Sequence, residues 1–165
     1  PKASTNFDFE GELAVVIGKA GRHIPKENAM AHVAGYSLFN DGSIRDWQRH
    51  TLQFTAGKNF VGSGSFGPWI VTKDEIANVD KLVLETRLNG EVVQREGIDD
   101  LLFKIPDLIE YISTFTELLP GDVIATGTPG GVGAFRTPPL WMQNGDVIEV
   151  EVKGIGILRN SIKSE

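Results

Sequence analysis

The chain contains no cysteine among its 165 residues and only three histidines. Without cysteine it can form neither disulfides nor thiolate metal sites, which leaves carboxylate, imidazole and carbonyl groups as metal ligands. A bound metal would therefore be a hard divalent cation. The lack of cysteine is also compatible with a reducing compartment.

Long apolar runs and clusters of basic residues are also missing. The longest apolar segments, such as Leu13 to Ile17, are far shorter than the ~20 residues that span a bilayer. The 16 basic residues stand against 22 acidic ones, for a net charge of -6, and no run of Lys or Arg is present to follow a phosphate backbone. We therefore expect no membrane segment, no nucleic-acid partner and a cytoplasmic location.

The composition is that of an ordinary globular protein, with 41% hydrophobic and 23% charged residues. A chain of this length buries roughly two-thirds of its unfolded surface, so residues 1–165 are expected to form one domain. Because the chain begins at Pro1, without methionine, and reaches a predicted strand almost at once, we also expect that it lacks an N-terminal segment.

Alternating apolar patterns predict a chain made mostly of strands. Phe7 to Gly18 is predicted as a strand with one fully buried end, and the two runs around Asn89-Gly90 predict a type I′ hairpin. Further strands are predicted at "YSLFND" and "DVIATG", and "GDVIEVEVKGIGILRNSI" is typical of a closing hairpin. These patterns together predict a strand-dominated α+β fold.

Two segments have helical spacing. "IPKENAMAHVAGY" predicts a short helix that stops at Gly35. "IPDLIEYISTFTELLPGD" predicts a longer helix with Leu108, Ile109, Ile112, Phe115 and Leu118 on one face, ended by Pro120-Gly121.

Three acids lie at the ends of predicted strands. Glu10 and Glu12 point to the same face of one strand, where adjacent carboxylates raise each other's pKa unless a cation or a proton neutralises them. Taken alone, the pair favours a solvated strand end, since charges are mostly exposed. Asp41 ends a second strand, however, and three carboxylates can form a facial ligand set for Mg²⁺, Mn²⁺ or Ca²⁺ that leaves positions open for substrate.

Five blocks of the sequence resemble, in order, those of the fumarylacetoacetate hydrolase family, in its C-terminal catalytic domain. They are "DFEGELAVVIGK", "AHVAGYSLFNDGSIRDWQ", "GKNFVGSGSFGPWIVT", "LLPGDVIATGTPGGVG" and "GDVIEVEVKGIGILRNSI". The resemblance implies a mixed β-sandwich roll of the α+β class and a homodimer. It also implies a divalent cation, with Mg²⁺ expected, held by Glu10, Glu12 and Asp41.

The same resemblance implies roles for five further residues. Lys58 would lie beside the metal and polarise a substrate carbonyl or enolate oxygen; the alternative is a surface lysine. Arg45 and Gln48 lie in the loop after the third acid, which approaches the substrate in the family, and the guanidinium group of Arg45 could pair with a substrate carboxylate through two hydrogen bonds. The Gly127 amide and the Thr128 hydroxyl would hold a carboxylate or oxyanion of the substrate.

The histidines match no catalytic position of the family. The family's general base comes from a His...Glu motif that precedes the paired glutamates, and that motif is absent from this sequence. His23 lies in a predicted turn and His32 on the short helix, where a packed or solvated role is expected. His50 lies in a loop that by resemblance approaches the site, so a functional role stays open for it.

The resemblance implies an enzyme that acts on small 2-oxo or β-diketo acids. The expected reaction is metal-dependent hydrolysis of a C–C bond in an acylpyruvate or fumarylpyruvate type of acid. The alternative is a decarboxylase, isomerase or hydratase of a 2-oxo dicarboxylic acid in aromatic catabolism. A second alternative is a metal-binding remnant without catalytic activity.

Overall fold

A computed structural model describes all of residues 1–165, which form two four-stranded sheets and a two-stranded ribbon. Every strand pair is antiparallel. The strands are β1 (Phe7–Asp8), β2 (Gly11–Ile17), β3 (Val33–Asn40), β4 (Ser43–Ile44), β5 (Ser65–Thr72), β6 (Val83–Leu88), β7 (Glu91–Gly97), β8 (Val123–Ala125), β9 (Val147–Val152) and β10 (Gly156–Ser161).

The first sheet has the strand order β5-β3-β2-β8. Strand β2 is buried along its whole length, as its continuous apolar sequence predicts for a strand that is covered on both faces. It pairs with β3 from Gly11 opposite Asn40 onward. Strand β8 pairs only with Ala14–Val16 of β2, so the beginning of β2 has no strand partner on that side.

The prediction of one continuous strand from Phe7 to Gly18 was wrong, because the structure has two strands there, β1 and β2. Strand β1 pairs with β4, with Asp8 opposite Ser43, whereas β2 pairs with β3. The chain therefore changes its partner between Asp8 and Gly11. Glu10 lies in this break, directly before β2.

The second sheet has the order β10-β9-β6-β7. The predicted β6–β7 hairpin is confirmed: Asn89 and Gly90 have φ values of 53° and 85°, and a type I′ turn requires positive φ at both positions. The closing hairpin of β9 and β10 is confirmed as well. Buried apolar side chains of β2, β6 and β9 pack in one core cluster, among them Leu13, Val15, Leu84, Val150 and Val152.

The helices are α1 (Arg45–Gln48), α2 (Thr55–Lys58) and α3 (Ile105–Phe115), with a 3₁₀ helix at Lys26–His32. The short helix predicted up to Gly35 is this 3₁₀ helix, and it ends at His32 because β3 begins at Val33. The prediction that α3 includes Leu118 was wrong. Leu118 exchanges two backbone hydrogen bonds with Gly21, both 2.9 Å, and this distant pairing replaces the last helical turn.

The predicted strand-dominated α+β fold is confirmed by this architecture. No helix in the structure has the length and apolar character to cross a bilayer. The fold also places the break before β2 beside the end of β3, so the acids predicted at these two strand ends become neighbours.

Candidate metal centre and active site

The carboxylates of Glu10, Glu12 and Asp41 converge, with one oxygen of each within 4.8 Å of the others. Strand register produces this arrangement. Gly11 pairs with Asn40, and the Asp41 amide donates to the Glu10 carbonyl oxygen at 2.8 Å, which brings Asp41 opposite Glu10. Glu10 and Glu12 are only 8% and 4% exposed, so the alternative of a solvated strand end was wrong.

The glycine between the two glutamates is required by close packing. A Cβ on Gly11 would lie 2.0 Å from the Thr86 hydroxyl oxygen on β6, nearer than any real contact allows. The second sheet thus passes directly against the peptide that links the two glutamates.

Two cationic side chains contact the cluster. The Lys58 ammonium donates to Glu10 at 2.8 Å and to Asp41 at 2.6 Å, and because its side chain is only 19% exposed, the surface-lysine alternative was wrong. Arg45 donates from Nη1 to the other oxygen of Glu10 at 2.5 Å and from Nε to Asp8 at 2.8 Å.

Asp8 is a fourth acid of the site that sequence reasoning missed. Its side chain is fully buried, and besides Arg45 it accepts the backbone amides of Phe9, Gly133 and Ala134 at 2.8, 2.7 and 2.9 Å. The signal was present, because the alternation that puts Glu10 and Glu12 on one face includes Asp8 as well. Asp8 fixes Arg45, and Arg45 in turn holds Glu10.

The charges of the cluster suit a divalent cation. Four carboxylates, from Asp8, Glu10, Glu12 and Asp41, are accompanied by the two cationic groups of Arg45 and Lys58. Four negative and two positive charges leave a formal charge of -2, which one divalent cation neutralises. The three converging acids offer only carboxylate oxygens, the ligands that hard cations such as Mg²⁺, Mn²⁺ and Ca²⁺ prefer.

Glu12 differs from Glu10 in its surroundings. Burial raises the pKa of Glu12 to about 7, and the negative charges of Asp41 and Glu10 add to this shift. The hydrogen bond from the Gly127 amide, 2.8 Å long, and the charge of Lys58 oppose it. A cation at the three acids would favour the ionised form of Glu12.

Arg45 and Gln48, predicted to bind substrate, contact each other at the edge of the cluster. Arg45 Nη1 donates to the Gln48 side-chain oxygen at 3.1 Å. Arg45 Nη2 is buried and has no partner. Its N–H groups are therefore the donors of this guanidinium that remain for a ligand.

Gly127 and Thr128 lie in the turn after β8, as predicted, but their hydrogen-bonding groups already have partners in the protein. The Gly127 amide binds Glu12, and the Thr128 hydroxyl donates to the Gly11 carbonyl oxygen at 2.9 Å. The turn borders a cavity of about 400 Å³, lined by residues of 126–130 and of 96–103. This cavity adjoins the turn but does not include the three acids.

None of the histidines belongs to the converging group of possible metal ligands. His32 Nδ1 lies 2.9 Å from the Lys19 carbonyl oxygen. The His50 ring packs against Trp47, with 4.7 Å between ring centroids.

Known proteins resemble this chain in sequence and in fold. The sequence profile described as fumarylacetoacetate (FAA) hydrolase C-terminal matches residues 1–163. The human mitochondrial oxaloacetate tautomerase FAHD2A is 46% identical over 164 residues, which is 98% of this chain and 52% of the human protein. This chain therefore spans about half the length of that relative.

Two experimental structures share the fold. A fumarylacetoacetate hydrolase from Exiguobacterium antarcticum superposes with a TM-score of 0.95 and 43% identity, covering 99% of this chain and 59% of that one. Fumarylpyruvate hydrolase from Pseudomonas aeruginosa, in complex with Mn²⁺ and pyruvate, gives a TM-score of 0.90 and 32% identity, covering 100% and 69%. The chain belongs to the fumarylacetoacetate hydrolase family, as its five sequence blocks predict.

Proposed function

We propose that this protein catalyses the keto–enol interconversion of a small 2-oxo dicarboxylic acid, with oxaloacetate as the first candidate, at a divalent cation held by Glu10, Glu12 and Asp41. The observation that carries the proposal is the convergence of these carboxylates within 4.8 Å. The choice of reaction is supported by the 46% identity to the human oxaloacetate tautomerase.

Tautomerisation releases a proton from C3 to water and returns one to the C2 oxygen, through an enolate whose negative charge lies largely on that oxygen. A bound cation would supply Lewis-acid stabilisation of this charge. Lys58, whose ammonium already lies between Glu10 and Asp41, would donate a hydrogen bond to the same oxygen. Such pre-positioned donors are worth most where water is excluded.

The other predicted residues would orient the carboxylates of the substrate. Arg45 would use the buried Nη2 that has no partner, and Gln48 would help to hold the guanidinium in place by accepting a hydrogen bond from Nη1. Gly127 and Thr128 would bind the second carboxylate. For that role they would exchange their present bonds to Glu12 and Gly11 for bonds to the substrate.

C–C bond hydrolysis of an acylpyruvate is the second candidate. It is supported by the likeness to the Pseudomonas fumarylpyruvate hydrolase, which binds Mn²⁺ and pyruvate. Pyruvate would leave such a reaction as its enolate, so the same acids and Lys58 would stabilise the charge in both reactions. The two candidates differ in whether water attacks a second carbonyl group.

The proposal includes four further expectations. Mg²⁺ is the native cation, the protein acts as a homodimer, and residues 1–165 form one catalytic domain. A cytoplasmic location is the fourth, although the human relative is named as mitochondrial. If the protein binds metal but turns over none of these acids, it is a metal-binding remnant without catalytic activity.

The test combines metal binding with turnover. Mn²⁺ should raise the melting temperature of the wild-type protein, and Asp41→Asn should abolish this rise, whereas the exposed control Asp100→Asn should keep it. The protein should accelerate the decay of enol-oxaloacetate absorbance, and Lys58→Met should lower that rate by about 10² to 10³-fold, as loss of an oxyanion donor does. An unchanged rate in Lys58→Met would refute its role, and cleavage of acylpyruvates without tautomerase activity would select the second candidate.

A further inference from the structure

Where β8 leaves β2, side chains replace the missing strand partner. Past Ala14 only one more backbone hydrogen bond joins these two strands, from the Thr126 amide to the Leu13 carbonyl oxygen at 3.2 Å. The Thr126 hydroxyl then donates to the Leu13 carbonyl oxygen at 3.0 Å, and the Thr128 hydroxyl donates to that of Gly11 at 2.9 Å. The Gly11 amide instead donates a hydrogen bond to a side chain of the second sheet.

That side chain is Gln94 of β7, which is 2% exposed. Its Oε1 accepts the Gly11 amide at 3.0 Å, and its Nε2 donates to the Thr128 hydroxyl oxygen at 2.8 Å and to the Pro129 carbonyl oxygen at 2.9 Å. The site needs one acceptor and two N–H donors, which a primary amide supplies and a carboxylate does not.

These bonds close a ring around the peptide groups that carry the paired glutamates. Gln94 binds the amide of Gly11 and the Thr128 hydroxyl, and that hydroxyl binds the carbonyl oxygen of Gly11. Gly11 lies between Glu10 and Glu12. Thr128 follows Gly127, whose amide binds the Glu12 carboxylate. One buried side chain therefore fixes the backbone of both glutamates and the turn that orients one of them.

We propose that Gln94 is a positioning residue of the metal centre and sets its affinity for a divalent cation without touching the ion. The inference rests on the proposed metal site of Glu10, Glu12 and Asp41. Groups that orient metal ligands typically change metal affinity by about 10 to 100-fold when they are removed. A glutamine that served the fold alone would change stability and leave the affinity as it is.

The decisive variant is Gln94→Met, which keeps the side-chain length and removes the three hydrogen bonds. Thr86→Val is a matched control: Thr86 lies on the neighbouring strand β6, is fully buried against Gly11, and has a hydroxyl without a partner. The Mn²⁺ dissociation constant is measured by electron paramagnetic resonance of the free ion, at a temperature where each variant is folded. Gln94→Met should weaken Mn²⁺ binding at least tenfold, and Thr86→Val should leave it unchanged.

Thr128→Val tests the other end of the same ring and decides the question alone if Gln94→Met does not fold. It should also weaken Mn²⁺ binding, and the double variant should bind about as weakly as the weaker single one, because both remove one connected unit. A folded Gln94→Met with a lower melting temperature and the wild-type dissociation constant would overturn the inference, as would wild-type binding by Thr128→Val. Failure of the wild-type protein to bind Mn²⁺ would instead refute the proposed metal site itself.

Discussion

Glu10 and Glu12 stand two residues apart on the same face and have opposite surroundings. Glu10 accepts hydrogen bonds from two cationic side chains, those of Arg45 and Lys58. Glu12 accepts one, from the backbone amide of Gly127. The difference arises because α1 and α2 reach the first glutamate, whereas only the glycine-rich turn after β8 reaches the second.

This difference assigns separate roles to two residues that look equivalent in the sequence. A buried carboxylate is costly unless it is paired and hydrogen-bonded. Glu10 has two cationic groups in direct contact, whereas Glu12 has only a backbone amide, and burial raises its pKa to about 7. Glu12 is therefore the ligand whose charge a bound cation would balance, and Glu10 the ligand that the protein holds ready.

The largest effect on stability is expected for Asp8→Asn, because Asp8 holds the arginine that contacts Glu10. In one orientation the N–H donors of the new amide would face both Arg45 Nε and the Ala134 amide, and in the other they would face the two backbone amides that donate to the second oxygen of Asp8, so donors meet donors either way. Arg45 would remain buried beside Glu10 with one partner fewer. Breaking a buried ion pair in this way costs about 3 to 5 kcal/mol, measured as the free energy of unfolding in urea.

Asp100→Asn is the control for this change, because Asp100 is exposed. It should alter the free energy of unfolding by less than about 0.5 kcal/mol, as surface substitutions usually do. If Asp8→Asn were equally mild, the chain of contacts from Asp8 through Arg45 to Glu10 would not be what holds Glu10.

The next effect compares the glutamates directly, in the absence of divalent cations at pH 8. Glu10→Gln removes a charge that two cations contact, so it should destabilise the protein by about 3 kcal/mol. Glu12→Gln removes a buried charge without a cationic hydrogen-bond partner, so it should stabilise the protein by up to about 3.5 kcal/mol, since the pKa of Glu12 is raised from 4.5 to about 7 and each pKa unit is worth ~1.4 kcal/mol. Both variants should lose the stabilisation by Mn²⁺.

Thermal unfolding with a chelator and with Mn²⁺ measures all four values. Opposite signs for the two variants in the chelator would confirm the comparison. If both variants were destabilised equally, the protein would supply counter-charge to both glutamates, and the division of roles would be wrong.

The convergence of the acids was open to prediction from sequence, but the bonds that hold them were not. Period-two geometry puts Glu10 and Glu12 on one face, and the apolar strand before Asp41 indicates a second strand end. The roles of Arg45 and Gln94 in the site depend on contacts between distant parts of the chain, because folding alone brings β1, β4 and β7 together at the site. No local pattern carries that information.

The fold shows the same division between local and distant information. The hairpin at Asn89-Gly90 was predicted correctly because its turn chemistry is complete within two residues. The end of α3 was predicted too late because Leu118 has helical spacing in the sequence, yet its backbone pairs with Gly21. The end of this helix is therefore set by a distant hydrogen-bond partner and not by the local spacing of apolar residues.

The smallest expected effect, at most ~1.4 kcal/mol per pH unit for one group, is the dependence of stability on pH when a chelator removes divalent cations. The pKa of Glu12 is about 7 in the folded chain, against an ordinary value of 4.5, so between these pH values the folded state holds more protons than the unfolded state. The free energy of unfolding should therefore fall as pH rises through this range. Glu12→Gln should remove this part of the slope, and saturating Mn²⁺ should suppress it in the wild type. An unchanged slope in Glu12→Gln would mean that other groups titrate there and that Glu12 is ionised without help from a cation.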